Sequence, residues 1–138
     1  MSDFPNYETV IGLEVHVQLS TASKAYASDS TDFGASPNTL VSPITLGHPG
    51  TLPKANIAVV ESAVQLGLAC GCTIREHNLY ARKNYFYADL PKGYQITQDT
   101  TPICTGGGVN IRLSDGSERI IRLTRIHMEE DTGKSLHD

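Results

Sequence analysis

Between Thr9 and Leu19 the chain alternates without a break, with Ile11, Leu13, Val15, Val17 and Leu19 on one side and Gly12, Glu14, His16 and Gln18 on the other. A period of two belongs to an extended segment, because successive side chains of a strand point to opposite faces. The segment is therefore read as a half-buried β-strand, which demands a neighbour to complete its backbone hydrogen bonds. The same periodicity sends Glu14, His16 and Gln18 to one face, with Glu14 and His16 roughly 6.5 to 7 Å apart at their Cα atoms.

Residues 20 to 53 mix Ser, Thr, Asn, Gly and Pro, including Ser36-Pro37-Asn38 and His48-Pro49-Gly50. That is the composition of turns and short irregular strands, so a long ordered connection is expected there. From Pro53 to Ala69 the spacing changes: Ile57, Val60, Val64 and Leu68 recur at helical intervals, with Pro53 near the start and Gly71 just past the end. This predicts the principal helix. Further on, Val109 to Leu113 and Glu118 to Met128 flank Ser114-Asp115-Gly116, which reads as a β-hairpin. Gly106 to Gly108 precede a strand and not a helix, so they read as a turn and not as a phosphate-binding loop. Strands, hairpins and one helix without a repeated βαβ unit point to an α+β fold with a mainly antiparallel sheet. At 138 residues and 39% hydrophobic content, one domain (1–138) around one core is expected.

The charge narrows the choice of partner. Fifteen acidic and eleven basic residues leave a net charge of −4, with no run of five like charges. A domain that held RNA through phosphates would show a basic stripe, so RNA contact must be local or supplied elsewhere. No apolar stretch approaches the roughly 20 residues that span a bilayer, and MSDFPNYETV lacks the regions of a signal peptide. A cytoplasmic protein is expected. Cys70, Cys72 and Cys104 then read as buried thiols, or as zinc ligands if His77 or another segment supplied a fourth donor.

Two acidic groupings could carry chemistry. Glu14 and His16 are potential ligands on one strand face, and His127-Met128-Glu129-Glu130-Asp131 places three carboxylates in a row. Side by side they would form an oxygen-rich site suited to Mg²⁺ or Mn²⁺, ions that retain waters and bridge phosphates. Arg82-Lys83 supplies a basic counterpart that could neutralise a transferring phosphoryl group. The plainer alternatives are a solvated strand face, an acidic turn and a basic strand with aromatic contacts.

The strings ETVIGLEVHVQL, LGHPGTLPKAN, ARKNYFYADLPKGYQITQ and TRIHMEEDTGKSLHD follow one another in unbroken order. They resemble successive blocks in the B subunit of the glutamyl-tRNA(Gln)/aspartyl-tRNA(Asn) amidotransferase, and they separate the chain from the related archaeal E subunit. The resemblance implies the first part of a cradle-shaped catalytic domain, similar to the glutamine synthetase and guanidino kinase fold. It implies ATP- and magnesium-dependent phosphorylation of the misacylated side chain, followed by attack of ammonia that the A subunit releases from glutamine. It further implies Glu14, His16, Glu129 and Glu130 as metal-site residues, with Asp131 as an added candidate. Arg82 and Lys83 would face phosphate, and Lys92, Tyr94 and Gln95 would lie near the reaction centre and the ammonia path. The A and C subunits and the misacylated tRNA are the implied partners, with most of the tRNA surface in downstream cradle, helical and tail regions beyond residue 138. A fragment of this kind would be inactive alone. The alternatives are a non-catalytic module that docks on the A subunit, or a zinc-bound structural domain. Ala88 in Tyr87-Ala88-Asp89, His48 and Cys70-Gly71-Cys72 depart from the family's usual residues and touch none of the proposed metal ligands.

Overall fold

A computed structural model describes residues 6–88 and 90–130. Helix α1, Ile57–Ala69, is followed by seven short strands: β1 Thr73–Ile74, β2 Ala81–Asn84, β3 Tyr94–Thr97, β4 Cys104–Thr105, β5 Gly108–Arg112, β6 Glu118–Arg122 and β7 Arg125–Ile126. They form three antiparallel sheets, in the orders β1-β4-β7, β2-β3 and β5-β6. The α+β reading holds at this level: one helix among antiparallel strands.

The helix begins later than its proline suggests. Asn56 caps it, its side chain accepting from the Ala58 N–H at 3.0 Å, so Pro53 lies outside. Its end follows the glycine. Gly71 takes a φ of 63°, while the Gly71 and Cys72 N–H groups donate to Leu68 O at 3.0 Å and Gly67 O at 2.8 Å. This double bond pattern closes the last turn, and the left-handed position is one that glycine fills without penalty. The buried stripe is Val59, Ala63 and Gly67, with Val60 and Val64 partly buried beside it. Ile57 and Leu68, which share the predicted spacing, are exposed. The reason is close packing: a Cβ on Gly67 would collide with the Cys104 sulfur and meet Ile74 Cδ1 at 2.8 Å. Small residues let α1 sit on β1 and β4, so they define the inner face in place of the large ones.

Around that contact the core gathers Tyr26, Val59, Ala63, Ile96, Ile103, Cys104 and Met128. Tyr26 and Tyr80 meet edge-on with ring centroids 4.7 Å apart. The predicted hairpin forms as β5 and β6, its turn fixed by Gly116 at φ 84° and by Asp115, which accepts from the Ser117 N–H at 2.9 Å. The run Glu118 to Met128 is not one strand, however. It breaks after Arg122, and Arg125–Ile126 pairs instead with β4.

The alternating segment is the main correction. Residues 9 to 19 belong to no strand, and Ile11, Leu13, Val15 and Val17 are 65% to 86% exposed. A strand is a relation between two segments, and among the described residues none pairs with this one. Alternation specifies which face needs cover, not what covers it. Among the described residues, no helix is long and apolar enough to cross a membrane.

The connection from residue 20 to 53 is built from turns around one isolated bridge, Ser23 to Ser30. Asp29 fastens it by accepting from Ser42 Oγ at 2.9 Å and from the Thr45 hydroxyl. Burial opposes ionisation of this carboxyl, but the bonds from Thr45 and Ser42 and the charge of Lys24 outweigh it, leaving Asp29 below the usual carboxylate range. A carboxyl depressed on folding contributes stability above its unfolded pKa, about 3.9, and loses that contribution as pH falls through the lower folded value. Asp29→Ala is therefore expected to cost about 1 kcal/mol at neutral pH. Thermal melts of the two proteins should converge as the buffer is taken well below about pH 4; a gap that persists undiminished in acid would contradict this role.

Candidate functional site

Strand β3 organises the site by gripping the segment that follows β7. Hydrogen bonds run both ways between Ile96 and Glu130: the Glu130 N–H donates to Ile96 O at 3.0 Å, and the Ile96 N–H donates to Glu130 Oε1 at 2.7 Å. Side chains add to this. Gln95 Nε2 donates to Glu130 O at 2.7 Å, Thr97 Oγ1 to Glu129 Oε2 at 3.2 Å, and the Met128 N–H to Gln98 Oε1 at 3.2 Å. Gln95, Thr97 and Gln98 are all buried polar residues, and each has a hydrogen-bond partner. Buried polar side chains require such partners, which explains why a polar strand can sit in the interior.

The two adjacent glutamates have separate environments. Glu130 Oε1 lies 2.5 Å from Lys92 Nζ, whose side chain is only 9% exposed, so Glu130 is engaged by a lysine and a backbone N–H together. Glu129 faces histidines instead: His16 Nδ1 lies 3.8 Å from its Oε1, and His127 Nε2 lies 3.6 Å from its Oε2. The expected meeting of the first segment with the acidic segment thus occurs through His16 and Glu129. Glu14 is exposed, and Asp131 lies outside the described residues.

The basic group is divided by the strand's own geometry. Cross-strand pairing sets Lys83 opposite Gln95 and Arg82 opposite Ile96. Lys83 therefore shares a face with Gln95 and Thr97, whereas Arg82 projects from the other face. There its guanidinium carbon lies 4.5 Å above the Tyr94 ring, and Lys92 Nζ lies 5.0 Å from the same ring. Two cations near one aromatic face are each drawn by its negative quadrupole. Lys92, Tyr94 and Arg82 make one group, and Lys83 is not part of it.

Sequence reasoning misses Thr97 and Gln98 and leaves His127 out of the site. The signal that could have found them is the run Tyr94-Gln95-Ile96-Thr97-Gln98, in which polar residues recur along a strand and just past its end. Tyr26 adds a neighbour from the core: its hydroxyl is the one buried side-chain polar atom without a hydrogen-bond partner among the described residues. Burial first, then the charges of Tyr80, Glu130 and Glu129, push this phenol well above its ordinary value and keep it protonated.

Among the described residues, no three His, Cys, Asp or Glu side chains come together as a ready metal cluster. Glu129 has a histidine nitrogen near each oxygen, His127 at 3.6 Å from Oε2 and His16 at 3.8 Å from Oε1, and the outward-facing pair is His16 and Glu129. Two ligands each about 2.1 Å from one ion can be up to about 4.2 Å apart, and magnesium keeps several waters or phosphate oxygens besides one or two carboxylates. The 3.8 Å separation lies within that limit but exceeds the roughly 3.0 Å between adjacent octahedral positions, so an ion bound there would draw the two side chains together. The cysteines are arranged differently. Cys72 Sγ donates to Gly106 O at 3.0 Å, and Cys104 Sγ lies 3.7 Å from Ala63 O. Burial, and after it the neighbouring cysteines, push both thiols above their ordinary value, which favours S–H over thiolate.

The sequence model of the family described as "GatB/GatE catalytic domain" matches residues 9–138. Curated relatives, each named as the B subunit of an aspartyl/glutamyl-tRNA(Asn/Gln) amidotransferase, include one from Anaeromyxobacter sp. (strain Fw109-5), 59% identical over 96% of this chain and 27% of the relative. Those from Chlorobaculum tepidum and Bdellovibrio bacteriovorus are 58% and 55% identical over 96% and 95% of the chain, covering 28% and 27% of those proteins. The chain thus spans 27% to 28% of the length of these relatives.

Proposed function

The chain belongs to the GatB/GatE catalytic domain family, and on that premise we propose that it carries part of the site at which the B subunit of a tRNA-dependent amidotransferase activates a misacylated side chain. The reaction is ATP-dependent phosphorylation of the terminal carboxylate of Glu-tRNA(Gln) or Asp-tRNA(Asn), which prepares it for ammonia supplied within an assembly with the A and C subunits. The same reading assigns the α+β arrangement to the glutamine synthetase and guanidino kinase fold, and residues beyond these complete the site and hold the tRNA.

The observation that carries the proposal is the approach of His16 to Glu129 at 3.8 Å, on a glutamate anchored by β3. Glu129 offers an oxygen and His16 a nitrogen to a magnesium or manganese ion, with Glu14 in the same ligand set, while Glu130 is engaged by Lys92 and the Ile96 N–H. Such an ion, when bound, offsets phosphate charge during phosphoryl transfer. The chain's own contribution is position: β3 fixes the carboxylate before substrate arrives, which lowers the cost of assembling the site. Lys83, on the face that carries Thr97, would meet a phosphate oxygen. Lys92 would contribute a cation held by Glu130 and Tyr94, close to the path of the ammonia.

Calorimetric titration of Mn²⁺ and Mg²⁺-ATP into the full-length protein tests the assignment. Glu129→Gln should weaken Mn²⁺ binding about a hundredfold, at the upper end of what the loss of a supporting residue does. Unchanged affinity in Glu129→Gln would sink the metal assignment and leave a non-catalytic docking role as the surviving reading.

A further inference from the structure

The carboxylate of Glu129 has two unlike sides. Oε2 is turned inward, with Thr97 Oγ1 at 3.2 Å and His127 Nε2 at 3.6 Å. Oε1 is turned toward His16, a side chain 74% exposed. The terminal torsion of a glutamate is broad and roughly twofold, so an untethered carboxylate would rotate and exchange its oxygens. A donor fixed on one oxygen removes that freedom. The Thr97 distance is a hydrogen bond, whereas 3.6 Å to His127 is too long for one and provides a polar flank.

Thr97 is also costly to place where it is. It is 7% exposed on a strand, a position where valine has the same shape and buries no hydroxyl. Its hydroxyl is directed at Glu129, and not at the β2–β3 ladder or at a neighbouring carbonyl. We infer that Thr97 is a positioning residue, which tethers the inner oxygen of Glu129 so that Oε1 is presented beside His16 as the ligand for a divalent cation. The inference rests on the metal-site reading above. It adds a residue that holds a ligand without touching the ion, and such outer partners typically change metal affinity by about ten- to a hundredfold.

The test is Mn²⁺ titration of the full-length protein without nucleotide, read by calorimetry, for wild type, Thr97→Val, Thr97→Ser and Glu129→Gln. Thr97→Val should raise the Mn²⁺ Kd about tenfold, and Thr97→Ser, which keeps the hydroxyl, should restore wild-type affinity. Wild-type affinity in Thr97→Val would overturn the inference. Equal weakening in the valine and serine variants would do the same, because it would trace the effect to packing of the methyl group. If Glu129→Gln weakens binding and Thr97→Val does not, only the role of Thr97 fails. If neither does, the metal reading fails with it. Thr97→Ala gives the same comparison should the valine variant fail to fold.

Discussion

Replacing Gln98 with leucine is expected to destabilise the region around β3 by about 3 to 5 kcal/mol, although leucine is apolar and the site is buried. The amide is 1% exposed and serves three partners. Its Oε1 accepts from Ile103 N–H at 3.1 Å and Met128 N–H at 3.2 Å, while Nε2 donates to Asn78 Oδ1 at 2.8 Å. Leucine fills the space and satisfies none of them. Each buried N–H left unpaired costs about 1 to 3 kcal/mol, well above the net value of an ordinary hydrogen bond. Asn78→Ala removes only the outermost link and should cost about 1 kcal/mol. Hydrogen exchange on the full-length protein distinguishes the two, since it reports opening free energies region by region. Amides of β3 and of residues 123–128 should lose protection in Gln98→Leu far more than in Asn78→Ala; comparable protection in both would refute the argument.

The effect should reach the candidate site because Gln98 ties Met128 directly, and Met128 precedes Glu129. The carboxylate of Glu129 is thus held from two sides, by Gln98 through the backbone and by Thr97 through the side chain. Neither hold is visible in the sequence. Polarity at positions 95, 97 and 98 reads as a surface strand until the segment that supplies its partners is placed against it, and that segment lies some thirty residues on. Features fixed by neighbours a few residues away are legible: the glycine that ends α1 and the Asp-Gly hairpin. The helix start is harder to read because Pro53 is an acceptable first residue, whereas the deciding interaction, the Asn56 cap, also depends on Ser23 across the fold, whose carbonyl accepts from Asn56 Nδ2 at 3.0 Å. The alternation at 9–19 misleads for the same reason in reverse. Its local pattern is strong, but pairing is not a local property.

The acidic triplet shows how far chemistry read from sequence can go. Consecutive carboxylates suggest one function, yet the fold gives two adjacent residues opposite tasks: Glu129 is presented to His16, and Glu130 is consumed by Lys92 and the Ile96 N–H. Adjacent side chains on extended backbone diverge, so a shared role for both would require a bend.

The second large effect concerns that consumed glutamate. Glu130→Ala should cost about 3 to 5 kcal/mol, because it strands the ammonium of Lys92, 9% exposed, and removes the acceptor of the Ile96 N–H. Lys92→Met alone should cost less, since Glu130 is 21% exposed and keeps the Ile96 N–H as a donor. The double variant Lys92→Met/Glu130→Gln has no stranded charge and retains an oxygen for Ile96, so its loss should fall well short of the sum of the losses in Lys92→Met and Glu130→Gln taken singly. The shortfall is the coupling between the partners, and additivity to within about 0.5 kcal/mol would show that they do not interact. The comparison also separates architecture from catalysis. If Lys92 and Glu130 serve only the fold, the double variant, restored in stability, should regain ATP-dependent transamidation of misacylated tRNA in the assembled enzyme. The proposed function requires the opposite: a protein that melts near the wild type and leaves the misacylated tRNA unamidated.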